Sequence, residues 1–176
     1  DFMPRKRLYI PVALLLVSVS LAFGGDFSKE ALGTTGGQFL ELPVGARSIA
    51  MGAVENPGSP EVFTLYYNPA GIARLPGFSV GLMHAIYFED VSYQYLALTR
   101  KINREAAWGL GVQHLGYGSM DEMDNTGNST GESLSPSDLA VSLAYARSLS
   151  FADVGITAKY ISSKIQNKAS AYALDV

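Results

Sequence analysis

From residue 78 onward the chain alternates between apolar and small or polar positions. Leu139, Val141, Leu143, Tyr145 and Leu149 share one side of a two-residue period, and Asp138, Ala140, Ser142, Ala144 and Ser148 share the other, with Arg147 breaking the apolar row near one end. Val154, Ile156, Ala158 and Tyr160 repeat the theme against Asp153, Gly155, Thr157 and Lys159, and Trp108, Leu110 and Val112 oppose Gly109, Gly111 and Gln113. The stretch at 91–101 is ambiguous, because Tyr93 and Tyr95 face away from Leu96 and Leu98. The pattern predicts six strands, at about 78–88, 91–101, 106–117, 137–149, 153–165 and 169–176. Residues 26–77 carry no sustained period and are rich in Gly and Pro. Within them 46–51 and 69–75 predict short helices, the second with Pro69 in its first turn and Asn68 as its cap.

The expected strands run to about a dozen residues, whereas strands of soluble proteins average about 5 or 6. On the first, Phe78 and Phe88 bracket Val80, Leu82 and Ile86. Ten residues at about 3.3 Å each, tilted by about 40°, project to about 25 Å, the height of the lipid-facing band of an outer-membrane barrel. A sheet in hydrocarbon has to close on itself, because each unpaired backbone group there costs several kcal/mol. The expected fold class is therefore all-β, an antiparallel transmembrane β-barrel. A secreted soluble β-sandwich, whose inner faces also alternate, is the competing architecture. Loop parity agrees with a barrel: 102–105 and 150–152 are short, as periplasmic turns are, and 118–136 is long, as an external loop is.

Ahead of this region, Arg5, Lys6 and Arg7 precede an uncharged run at 8–23 that ends in small residues around Ala22, Gly24 and Gly25. That is the layout of a secretory signal peptide, and the run, interrupted by Pro11, is shorter than the roughly 20 residues of a membrane-spanning helix. The expected organisation is a signal peptide at 1–25, a plug-like segment at 26–77 and barrel strands at 78–176.

Composition sharpens the reading. Of 176 residues, 48% are hydrophobic and only 16% charged, where a soluble domain carries about a quarter charged. With no Cys, a disulfide scaffold and a lipid anchor on cysteine are both excluded. The net charge is −3, and the expected signal contributes +2, leaving −5 on the remainder. No basic stripe appears, so nucleic acid is excluded as a partner class.

Candidate chemistry is sparse. Asp121, Glu122, Asp124, Asn125, Asn128 and Glu132 make the segment at 119–133 acidic and polar. Aligning Gly127 with the obligatory glycine of a hand-type calcium loop puts Ser133 where the bidentate Glu belongs, so a solvated external contact loop is the better reading. His84 and His114 lack metal-ligand spacing and read as tolerated wall residues. Gly109 and Gly111 begin a dinucleotide fingerprint that His114 interrupts, and no GxSxG elbow occurs. The expectation is a non-enzymatic protein with no cofactor and no metal.

Several stretches together resemble the PorV/PorQ family of outer-membrane proteins, relatives of the FadL-type barrels. They are Gly33-Thr34, Phe39-Leu40, Pro43 with Gly45-Ala46-Arg47 through Met51-Gly52, and Tyr66-Tyr67-Asn68-Pro69-Ala70-Gly71. His84 to Tyr95, Leu115-Gly116-Tyr117-Gly118, Ser137-Asp138-Leu139-Ala140 and Lys159-Tyr160-Ile161 continue the likeness over nearly all of the chain after the signal. Between Gly52 and Asn68 the chain departs from the family, with two prolines and no Asp-Asp pair. The resemblance implies a bacterial outer-membrane location and a plug motif of Asn68, Pro69, Ala70 and Gly71. It also implies more strands than the six found, since the smallest closed membrane barrel needs about eight. Because the sequence stops at Val176 inside an alternating segment, it is expected to be the N-terminal part of such a barrel. The partners so implied are outer-membrane lipid and components or cargo of type IX secretion. As an alternative, FadL-type relatives imply passage of hydrophobic small molecules, which an apolar pocket among Phe39, Leu40, Leu65, Tyr66 and Tyr67 would favour. A soluble secreted adhesion domain is the third reading.

Overall fold

The structure, a computed structural model, describes residues 37–54, 60–123, 129–164 and 168–176. The expected signal peptide and Gly33-Thr34 lie outside the described residues. Eight strands occur among the described residues, the six long ones built on period-two alternation: β1 (Phe78–Ile86), β2 (Ser92–Lys101), β3 (Ala106–Gly116), β4 (Met120–Met123), β5 (Ser129–Leu134), β6 (Ser137–Ser148), β7 (Asp153–Lys164) and β8 (Lys168–Asp175). Six of them form one antiparallel sheet in the order β1-β2-β3-β6-β7-β8, and β4 and β5 pair separately as a hairpin inserted between β3 and β6. The described residues are all-β apart from short helical turns that precede the sheet.

The connections explain the register. At the β1–β2 turn Glu89 and Asp90 both take positive φ (52° and 61°), and Val91 N–H donates to Phe88 C=O. Two left-handed central residues match the right-handed twist of the flanking strands, as tight hairpins require. At the opposite end, the Asn103 side-chain oxygen accepts from the N–H groups of Glu105 and Ala106, closing the 102–105 turn. Leu149 N–H donates to Ala152 C=O across the other short turn.

Four short turns lead into β1: η1 (Gln38–Glu41), α1 (Ala46–Ala50), α2 (Thr64–Tyr67) and η2 (Pro69–Arg74). α1 stops at Gly52, whose φ of 81° lets its N–H reach Ile49 C=O while Ala53 N–H reaches Ser48 C=O, a paired helix-ending bond pattern. The expected helix at 69–75 is a 3₁₀ turn, capped as anticipated: Asn68 Oδ1 accepts from Ala70 N–H at 3.1 Å. η1 and α2 carry no helical period in the sequence.

η1, α2 and η2 pack on one face of the sheet, and the chain entering α1 meets the same face where Gly45 N–H donates to Met83 Sδ. That face is the small and polar one: Ala97, Ala107, Ala140, Ala144 and Ala146 are buried, as are Tyr93, Tyr95 and Gln113. The ambiguity in β2 is thereby resolved, since its tyrosines point at the turns and its leucines at the open face. Phe39, Val44, Leu65, Ile72, Ala73 and Leu75 supply the other half of the core. The small residues permit the close approach: a Cβ at Gly155 would strike the backbone of Pro69 and Ala70, and one at Gly109 would strike Leu65.

Candidate functional site

Four places on this scaffold are organised beyond simple packing. The first is the anchorage of the covering segment. Residues 39–44 span the end of η1 and the irregular backbone after it, whose carbonyls need partners wherever they are buried. Side chains satisfy them. Gln113 Nε2 donates to Phe39 C=O at 2.7 Å and to the Tyr93 hydroxyl at 2.9 Å. The Tyr93 hydroxyl donates to Leu42 C=O at 3.2 Å, and Tyr66 donates to Leu40 C=O. Tyr67 donates to Val44 C=O at 2.7 Å and accepts from Val44 N–H at 2.9 Å. Tyr66 also meets Tyr67 and Tyr95 edge-on, at 4.8 and 5.9 Å between ring centres. Burial, then the neighbouring Tyr67 and Glu41, push the Tyr66 hydroxyl up to about 12. Phe39, Leu40, Leu65, Tyr66 and Tyr67, offered above as walls of an apolar pocket, are thus packed against one another and the sheet or tied to backbone.

The plug-like motif lies at the short-turn end. Asn68 caps η2, Gly71 N–H donates to Asn68 C=O at 3.0 Å, and Gly71 sits against the Thr64 methyl. Arg74, at the end of η2, pairs with Asp153 at the start of β7, and Ser148 donates to the same carboxylate. An open cleft of about 290 Å³ runs along Thr64, Asn68, Gly71, Arg74 and Asp153.

At the other end stands the β4–β5 hairpin. Within the segment expected to be a long external loop, β4 and β5 form a two-stranded sheet, in which Met120 pairs with Leu134 and Asp121 with Ser133. Of the expected contact residues, Asp121 and Glu122 lie on β4 and Glu132 on β5, whereas Asp124 and Asn125 fall outside the described residues. The hairpin neck is clamped: Tyr117 N–H donates to Pro136 C=O, and its hydroxyl donates to Asp138 Oδ2 at 2.6 Å. Ser163 donates to the other oxygen of Asp138. Burial and then this carboxylate raise the Tyr117 hydroxyl to about 12. Sequence reasoning missed Tyr117, Asp138 and Gln113 as organising residues, because each signal is a single polar residue on a strand whose partner is remote in sequence.

The fourth feature is the uncovered face. Val80, Leu82, Leu143, Tyr145, Val154 and Ile156 are between 43% and 76% exposed, and Phe78 and Phe88, which bracket the β1 row, are more than 60% exposed. No helix among the described residues is long and apolar enough to cross a membrane. No group of three or more potential metal ligands occurs among them. Comparison with protein-family models, with curated proteins and with solved structures gives no match.

Proposed function

We propose that the chain forms part of the wall and the inner plug of a bacterial outer-membrane β-barrel of PorV/PorQ type, a non-enzymatic protein that handles cargo in type IX secretion. One observation carries the membrane reading. The covering segment lies on the small, polar face of the sheet, and the large aliphatic and aromatic side chains are left bare on the other. A soluble two-layer protein does the opposite, burying its largest apolar rows and leaving few contiguous apolar patches in water. Hydrocarbon is the medium in which a bare Leu, Val, Ile and Tyr face is at low free energy, with the inner face lined by small residues and a plug. The secretion role rests on the resemblance set out above, and the acidic β4–β5 hairpin is the surface that would meet cargo.

Trp108, the single tryptophan, faces outward beside Arg100 and Tyr145, its cross-strand partners. In native membranes the protein should need detergent for extraction and shift on gels between unheated and boiled samples. Brominated lipid should quench Trp108 fluorescence. Recovery in the soluble periplasm with unquenched Trp108 overturns the membrane reading. For the role, a photo-cross-linker at Asp121 should capture exported polypeptides that carry a common C-terminal sorting domain. Uptake of fatty acid that depends on the protein, without such adducts, would favour transport instead.

A further inference from the structure

His84 on β1, Gln94 on β2 and His114 on β3 are direct cross-strand partners on the uncovered face. The Gln94 carbonyl oxygen can only accept, so His114 Nδ1–H donates to it at 2.7 Å, and Gln94 Nε2–H donates to His84 Nδ1 at 3.3 Å. One amide thereby fixes opposite tautomers in two rings. With Nδ1 accepting, the His84 ring donor is Nε2–H, and Gln94 has a second N–H, so the row retains donors beyond its internal bonds. Next to it Leu82, Leu96 and Val112 floor an open groove of about 410 Å³ whose polar margin is this row.

A polar row is costly in hydrocarbon unless its remaining donors meet acceptors. A groove that is apolar along its floor and donor-rich at one end has the complementary shape and polarity of an amphiphile. We propose that this groove binds one membrane phospholipid. Its acyl chain lies over Leu82, Leu96 and Val112, and its phosphate-ester oxygens accept from His84 Nε2–H and the free N–H of Gln94. The proposal rests on the membrane reading above and adds a headgroup site to it. Phosphate is favoured over a neutral oxygen because an ionised acceptor about doubles the strength of such bonds.

The test uses the whole chain extracted in detergent, passed through nanodiscs of phosphatidylethanolamine and phosphatidylglycerol, re-extracted, and examined by native mass spectrometry. The wild type should retain one phospholipid. A His84→Leu/Gln94→Leu double variant should retain about a hundredfold less, the loss of two charge-assisted hydrogen bonds, while still entering the nanodisc. His84→Gln, which keeps a donor at that position, should restore retention. Equal retention by wild type and double variant overturns the site and leaves the membrane reading standing. Displacement of the lipid by millimolar inorganic phosphate overturns it in favour of a simple anion site, and a protein dimer that shields the row overturns it in favour of a protein partner. Failure of every variant and the wild type to enter nanodiscs overturns both this site and the membrane reading.

Discussion

At the scale of single residues, the covering segment is held by side chains standing in for a β-ladder. Gln113 is the most exposed to test, because it is 4% accessible and supplies donors to both Phe39 C=O and the Tyr93 hydroxyl. Gln113→Leu keeps the volume and deletes both bonds, leaving Phe39 C=O only the longer bond from Leu42 N–H; at about 0.5–1.5 kcal/mol each, the two lost bonds cost about 1–3 kcal/mol. The unfolding midpoint of the detergent-solubilised protein, followed by circular dichroism, should fall by several degrees; an unchanged midpoint would show that residue 39 is not held by this bond. Tyr66 adds a pH signature. Its hydroxyl is raised from 10.0 to about 12, so below about pH 10 it is protonated whether the chain is folded or not, and its contribution is complete. Between about pH 10 and 12 the unfolded chain gives up a proton that the folded one keeps, and stability falls with rising pH. Tyr66→Phe should flatten that alkaline decline and remove one late-titrating phenol from the 295 nm absorbance curve.

At the scale of elements, the contact of η2 with β7 depends on Gly155 having no side chain. Gly155→Ala would drive a methyl into the backbone of Pro69 and Ala70, which cannot swing aside as a side-chain tip can. Overpacking of this kind costs about 1–3 kcal/mol, and the Arg74–Asp153 pair should loosen with it. Limited proteolysis in 69–75 should accelerate in the variant, and equal cleavage rates would mean that η2 does not bear on β7. Legibility follows the same contacts. The six long strands were readable within about two residues because all but β2 set a mainly apolar face against a mainly small or polar one, and the period survives in the sequence whichever face is covered. β4 and β5 were not, because Met120–Met123 and Ser129–Leu134 are short and largely polar on both faces, so no alternation marks them. α2 was missed because Thr64–Tyr67 is a single turn of β-favouring residues, helical only through tertiary contacts of Leu65 and Tyr66. Asn68 was legible because a cap followed by proline is a local signal. Gln113 was not, because its partner lies 74 residues away.

At the scale of the whole molecule the two faces invert the usual distribution of side chains. The sheet's own covering segment occupies the face a soluble protein would give to water, and the free edges of β1 and β8 have no neighbour among the described residues. The two environments make opposite predictions for one substitution. Leu143 lies midway along β6 on the bare face and is 60% exposed. If that face meets water, Leu143→Arg exchanges one exposed side chain for another and changes stability by no more than about 0.5 kcal/mol. If it meets hydrocarbon, the charge sits near the middle of the bilayer and costs about 2–4 kcal/mol. Phe151, 85% exposed in the short β6–β7 turn, supplies the internal control, since a charge at the membrane boundary costs only about 0–1 kcal/mol. The fraction of each variant recovered in the outer-membrane pellet with a heat-shifted gel band reads the difference. Leu143→Arg should assemble poorly and Phe151→Arg almost normally. Equal assembly of the two would mean that depth is irrelevant at Leu143, and with it that this face does not lie in lipid.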